Sequence, residues 1–215
     1  MPRPVKPKRR YDSARRKDQA RATRAAVLAA ARELFVDRGY GATTIEAIAA
    51  GAEVSPETVY AAFKNKRSLL RELIDVSIVG DDAPEPVLER SWVQQLRQEK
   101  DITARLEILA RNGRLILDRL SPIYEVLRGA AAADREIAAL SERYKTQRLA
   151  GQAELVRILT AGHRLRKGLT QEHAADIVFA IGSPETYGLL VYDRGWSPEL
   201  FERWYADAMR RLLFP

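Results

Sequence analysis

The side chains best placed to do chemistry stand together between Thr44 and Lys66, and the chemistry they suit is contact with a polyanion. Pro56, Glu57, Thr58, Tyr60 and Ala61 would share the outer face of one short helix, with Lys64, Asn65 and Lys66 just past its end. A helix with a short polar N-terminal end and lysines beyond its last turn fits a DNA major groove and the phosphates beside it. Ser55 supplies the N-cap and Pro56 the first helical position, where a missing N–H costs nothing. Val59, Ala62 and Phe63 then turn inward. Upstream, Thr43 with Glu46 three residues later reads as a capping box opening another short helix, whose apolar face is Ile45, Ile48 and Ala49. Two short helices joined by a tight turn make a helix-turn-helix, and its natural partner is double-stranded DNA.

Other chemistries lack their parts. The chain has no cysteine, which excludes disulfides and soft metal ligands. Its two histidines, His163 and His173, are too few for a zinc or imidazole-based catalytic centre. His163, in Gly162-His163-Arg164, reads instead as a cation at a helix C-terminus. There is no glycine-rich phosphate loop, no Ser/His/Asp or Cys/His set and no metal cluster, so no enzyme activity, cofactor or metal is expected. No apolar run approaches the ~18 residues of a membrane span. No apolar segment follows the basic start as a secretory signal would require. A cytoplasmic protein with no membrane partner is therefore expected.

The net charge of +7 is unevenly placed. Residues 1–24 hold ten Lys/Arg against two acids, and the remainder is close to neutral. A basic end attached directly to a helix-turn-helix is an electrostatic footprint for phosphate. Residues 1–17, with three prolines and little apolar pattern, read as a disordered arm. Its Arg9 and Arg10 would either enter a minor groove or act as a solvated polybasic tail.

The elements behind these residues are helical throughout, and no period-2 run announces a strand. From residue 18 or 20 to Asp37 the pattern gives one helix closed by Gly39, packed behind the helix-turn-helix. Lys66 to Val79 continues with Leu69-Leu70, Leu73-Ile74 and Ile78 on one face, and the turn-rich stretch from Gly80 to Pro86 ends it. Helices are then expected over Val87–Gln98 and Ile102–Leu120, from Ser121-Pro122 through Ala131, over Asp134–Ala161 and Thr170–Ile181, and from the Ser-Pro starts at 183 and 197. Two apolar stripes near the end, one with Ile177 and Ile181, the other with Phe201, Trp204, Tyr205 and Ala208, would either meet their copies in a homodimer or fill the chain's own core.

Residues 20–72 resemble the TetR-type (TetR/AcrR) transcriptional regulators. The resemblance lies in Arg38-Gly39-Tyr40, Thr43-Thr44, Ile48-Ala49, Val54-Ser55, Thr58-Val59-Tyr60, Phe63, Lys66 and Leu69-Leu70. A weaker similarity runs from Ser183 to Trp204. One departure stands at Glu53, where the family usually has glycine; a glutamate there either rebuilds the turn or carries the cost of a positive φ. The resemblance implies an all-α fold: a three-helix helix-turn-helix DNA-binding head (residues 18–66) and a larger helical effector-binding and dimerisation body (67–215), which begins with the connecting helix. It also implies that Thr44, Tyr60 and Lys66 contact phosphate while Pro56, Glu57 and Thr58 lie nearest base edges. Each has a plainer reading: Glu57 as a helix-dipole partner, Thr58 as a surface residue, Tyr60 as packing.

In such a body a cavity would take a small-molecule effector. Trp92, Arg105, Asn112, Tyr124, Tyr144 and Tyr187 are its candidate lining, each also readable as core or surface, and Gly113 would open a gap or mark a close helix crossing. The expectation is a homodimeric repressor released from a palindromic operator by its effector. The alternative is an architectural DNA-binding protein with no effector.

Overall fold

The computed structural model describes residues 11–80 and 86–215, with side chains from Arg15 onward. The proposed arm residues Arg9 and Arg10, and most of the stretch from Gly80 to Pro86, lie outside them. All regular elements among the described residues are helical: α1 (Tyr11–Ala42), α2 (Ile45–Gly51), α3 (Pro56–Phe63), α4 (Lys66–Val79), a 3₁₀ turn (Val87–Glu89), α5 (Ser91–Gln98), α6 (Ile102–Ala131), α7 (Arg135–Leu159), α8 (Gln171–Ile181), α9 (Pro184–Tyr187), a π-helical turn (Gly188–Asp193) and α10 (Pro198–Leu213). They fall into two compact units, one ending at Leu70 and one starting at Arg71. The boundary falls within α4.

Most helix starts are set by one short polar side chain. Ser55, Asp101, Asp134, Thr170, Ser183 and Ser197 each accept from a backbone N–H in the first turn of the helix that follows, which satisfies donors the helix itself leaves orphaned. Three expectations are corrected. α1 starts at Tyr11 rather than near residue 18, since the Arg, Lys, Gln and Ala there are strong helix formers and need no apolar stripe to propagate. Its regular part still closes at Gly39 (φ 79°, ψ 165°). α2 is capped by Thr44, which accepts from Ala47 N at 3.1 Å. Thr43 is buried, and its hydroxyl donates to the carbonyls of Leu34 (3.0 Å) and Gly39 (2.8 Å), closing the end of α1.

The third correction is at Ser121-Pro122, which opens no helix: α6 runs through Pro122 without interruption. An interior proline costs about 3 kcal/mol of helix propensity. Here Leu117, Leu120, Ile123 and Leu127 are buried on both sides of it, and each such side chain contributes roughly 1.5–3 kcal/mol.

The first unit is built on Val27, Ala31, Phe35, Ile45, Ile48, Val59 and Phe63, all nearly inaccessible. A Cβ on Gly51 would stand 3.3 Å from the Ala30 methyl, so α2 sits close on α1. The core of the second unit gathers Leu96, Leu106, Leu109, Val156, Leu159, Val178, Tyr187, Phe201, Tyr205 and Met209. Tyr205 is seated between two glycines: a Cβ on Gly113 would lie 3.2 Å from its ring, and one on Gly182 would run into its hydroxyl. Gly113 thus marks a close crossing of α6 and α10.

Candidate nucleic-acid interface and body cavity

On α3, Ser55 Oγ accepts from Thr58 N at 3.3 Å and meets the Thr58 hydroxyl at 3.2 Å. Val59 and Phe63 are buried beneath, which leaves Glu57 exposed, Pro56 and Thr58 half-buried, and Tyr60 48% exposed on the outer side. The backbone N–H of Glu57 and the Ser55 hydroxyl hold the Glu57 carboxyl below the usual carboxylate range. Thr44 is exposed at the start of α2, and Lys64 is exposed at the end of α3 with φ 66°.

Lys66 is placed differently from a phosphate clamp. Its ammonium donates to the carbonyls of Tyr40 and Thr43, both at 2.8 Å, and lies 4.4 Å from the centre of the Tyr40 ring. Partial burial pushes it below the ordinary lysine value. Arg24 was not anticipated in this role: it lies 4.6 Å from the Phe63 ring centre and donates to Ala62 O at 3.3 Å, joining α1 to the end of α3. The turn is not rebuilt at Glu53, which keeps φ 54°, a left-handed conformation that costs a β-carbon-bearing residue about 1 kcal/mol.

The second unit encloses a cavity of about 550 Å³. Ile74, Ile78, Leu109, Ile116, Leu117 and Leu155 make much of its wall, with Asp75, Tyr124, Tyr144, Arg148 and Gln152 as polar members. Of the six candidate lining residues, Trp92, Tyr124 and Tyr144 are there. The Tyr144 hydroxyl donates to Asp75 and approaches the Arg71 carbonyl at 3.0 Å, and burial pushes this phenol well up. The other three do different work. Arg105 is 6% exposed and donates to the carbonyls of Glu99, Ile158, Leu159 and Ala161, which closes the C-terminal end of α7. Asn112 donates back to Ile108 O in its own helix. Tyr187 is buried and donates to Asp118 at 2.9 Å.

Asp75, Arg148 and Gln152 were not anticipated. A signal for the last two was available: Leu140, Tyr144, Arg148 and Gln152 recur every four residues on α7 and so share a face. Among the dimer candidates, Phe201 and Tyr205 are buried within the single chain, while Ile177, Ile181, Trp204 and Ala208 keep partial exposure.

Residues 27–73, which span the helix-turn-helix and run into α4, match the model of the bacterial regulatory proteins of the tetR family. The helix-turn-helix unit is of the TetR type. A TetR-type reading agrees with a relative from Bacillus subtilis (strain 168) described as an uncharacterized HTH-type transcriptional regulator, YdeS: it is 29% identical over 174 residues, 79% of either chain. Among solved structures, NalD of Pseudomonas aeruginosa, the secondary repressor of the MexAB-OprM multidrug efflux pump, shares the fold at TM-score 0.67 and 22% identity, over 92% of this chain and 98% of its own. A SmeT–triclosan complex does so at TM-score 0.68 and 20% identity, over 90% and 92%. No helix among the described residues is long and apolar enough to cross a membrane.

Proposed function

We propose that this regulator is a repressor that binds a palindromic operator as a homodimer and is released when a small molecule fills the body cavity. The observation that carries this reading is the position of α4. It leaves the helix-turn-helix unit at Leu70, and its continuation supplies Ile74, Asp75, Ile78 and Val79 to the cavity wall. A ligand in the cavity touches the helix that leads to the DNA-binding unit, so differential affinity for two settings of α4 would change DNA affinity. In this reading a basic arm precedes α1, the DNA-binding head runs from α1 to about Leu70, and the effector and dimerisation body begins at Arg71.

In this reading Thr44, Tyr60 and Lys64 contact phosphate, and Pro56, Glu57 and Thr58 face base edges. Ser55 orders the first turn of α3, Lys66 braces the head from within, and Arg9 and Arg10 add salt-dependent affinity. The dimer would form through the partly exposed faces of α8 and α10, including Ile177, Ile181, Trp204 and Ala208. The likeness to a multidrug-pump repressor and to a triclosan complex supports a ligand-responsive body. A gel shift with fragments of the chain's own upstream DNA, against excess nonspecific competitor at near-physiological salt, tests it. One discrete complex at a palindrome is expected; diffuse binding that competitor removes would favour an architectural role.

A further inference from the structure

Among the described residues that wall the cavity, Asp75 on α4 and Arg148 on α7 carry charge. They differ in how much of it is left for a ligand. The Arg148 guanidinium is committed: Nη1 donates to Phe179 O at 2.9 Å, Nη2 lies 3.8 Å from the Glu185 carboxylate, and the group sits 3.7 Å from the centre of the Phe179 ring. Its Nε, like Gln152 Oε1, has no hydrogen-bond partner among the described residues, but both atoms are sealed from the cavity and no ligand meets them. Asp75, by contrast, is exposed. Its Oδ1 accepts from the Tyr144 hydroxyl at 2.5 Å, which holds the carboxylate at the wall. An ionised carboxylate accepts at about four sites, so one bond from a neutral phenol leaves its charge and most of its capacity unused. Arg71 and Arg143, the cations that act on the Tyr144 hydroxyl, are exposed and stand outside the wall, where water screens them. At the wall and just behind it there are thus two carboxylates, Asp75 and Glu185, for one guanidinium.

An organic cation is the group that balances this wall. At Asp75 an ammonium gains a charge-assisted hydrogen bond, and because the carboxylate is exposed the pair escapes the cost of full desolvation. A neutral group forgoes that bond, and an anion meets like charge. The remainder of the ligand is set by Ile74, Ile78, Leu109, Ile116 and Leu117, which offer hydrocarbon. The volume of about 550 Å³ lies in the range of roughly 300–1,000 Å³ that drug-sized ligands occupy. Asp75 shares α4 with Ile74 and Ile78, so both ends of such a ligand bear on that helix.

We propose that the effector is an amphiphilic cation, with its charged head at Asp75 and its apolar body among the isoleucines and leucines of the wall. This rests on the reading of the body as an effector site. Isothermal titration calorimetry on the full chain at neutral pH with para-hexylbenzylamine, para-hexylbenzyl alcohol and para-hexylbenzoate tests it. The amine binds most tightly, the alcohol about tenfold more weakly for want of the charge-assisted bond, and the benzoate more weakly still. Asp75→Asn keeps an acceptor for Tyr144 and removes the charge, so the amine loses its advantage over the alcohol.

Equal affinity for amine and alcohol in the native chain overturns the assignment, as does tightest binding of the benzoate or the absence of heat from all three probes. An amine preference that survives Asp75→Asn overturns it too, because the charge would then be met elsewhere. A gel shift with and without the amine reports on the regulator separately. Tight binding of the amine that leaves the operator complex intact supports the ligand class and overturns release.

Discussion

Tyr60, on α3, is 48% exposed, whereas Tyr187 and Tyr205 of the second unit are 0% and 2% exposed. The same side chain is turned out in one unit and in at the other, and the contrast extends to its neighbours. In the first unit Thr44, Glu57 and Lys64 face solvent over an apolar core. In the second, Arg105 and Tyr187 are hidden and given partners, and Arg148 is largely hidden with one donor left over. Exposed polar groups suit a large, hydrated polyanion, since they remain solvated until it arrives. Enclosed ones suit a small ligand, where each unpaired atom is costly and therefore selective. Substitutions that break the pattern in either unit should have effects of different kinds.

The largest effect belongs to Arg105. Arg105→Met keeps the bulk of the side chain and removes the donor to four carbonyls, including three at the end of α7. It should destabilise the second unit by about 3 kcal/mol, read as a lower urea midpoint at unchanged slope. A loss below about 1 kcal/mol would mean that water replaces the guanidinium, as would suit a surface residue.

Lys66 is the place where the first unit behaves like the second. Lys66→Met should cost about 2 kcal/mol of stability, the loss of two charge-assisted bonds to carbonyls. If Lys66 served only as a phosphate contact, the variant would keep its melting temperature and lose only DNA affinity.

Tyr60 should show the opposite behaviour. Tyr60→Ala removes a largely exposed side chain and should leave thermal stability within about 0.5 kcal/mol. It should weaken operator binding by about tenfold, the value of one hydrogen bond to a charged phosphate. An unchanged affinity would return Tyr60 to the surface and shift the phosphate contacts to Thr44 and Lys64.

These contrasts also explain what was legible in the sequence. The start of α3 could be read because Ser55-Pro56 acts within four residues, through a cap and a fixed φ. Thr43-Thr44 was misread by one position, since either threonine satisfies the local pattern and the deciding bonds, to Leu34 O and Gly39 O, reach back to α1. Ser121-Pro122 was misread for the same reason on a larger scale: packing along α6 outweighs its local start signal. In the cavity, the aromatic residues Trp92, Tyr124 and Tyr144 stood out against their apolar surroundings. Arg105 did too, yet three of its four acceptors lie more than fifty residues away, on α7 and just beyond it, and no local pattern reports that. The pair Arg148 and Gln152 was visible as spacing but not as need, because an unmet hydrogen bond exists only once the chain has folded around it.

A smaller effect is expected at Glu53. With φ 54°, Glu53→Gly should relieve a left-handed conformation and gain about 0.5 kcal/mol after the added freedom of glycine in the unfolded chain is counted. A loss of stability would show that the Glu53 side chain makes a contact worth more than the backbone cost.

The smallest effect, Glu57, separates a helix-dipole partner from a base-edge contact. Its carboxyl is held below the ordinary value of 4.5 by its own backbone N–H and the Ser55 hydroxyl. A depressed folded-state value means that the stabilisation is present above the unfolded-chain value and is lost as the pH falls through the folded one. The melting temperature of the native chain should therefore exceed that of Glu57→Gln at pH 7, and the two should converge toward pH 3. Ser55→Ala should shrink the gap at pH 7, because it removes one of the two groups that depress the carboxyl. If the native chain and Glu57→Gln melt together at every pH while operator affinity differs, the carboxylate contributes nothing to the start of α3. Its place on the outer face would then be explained by DNA alone.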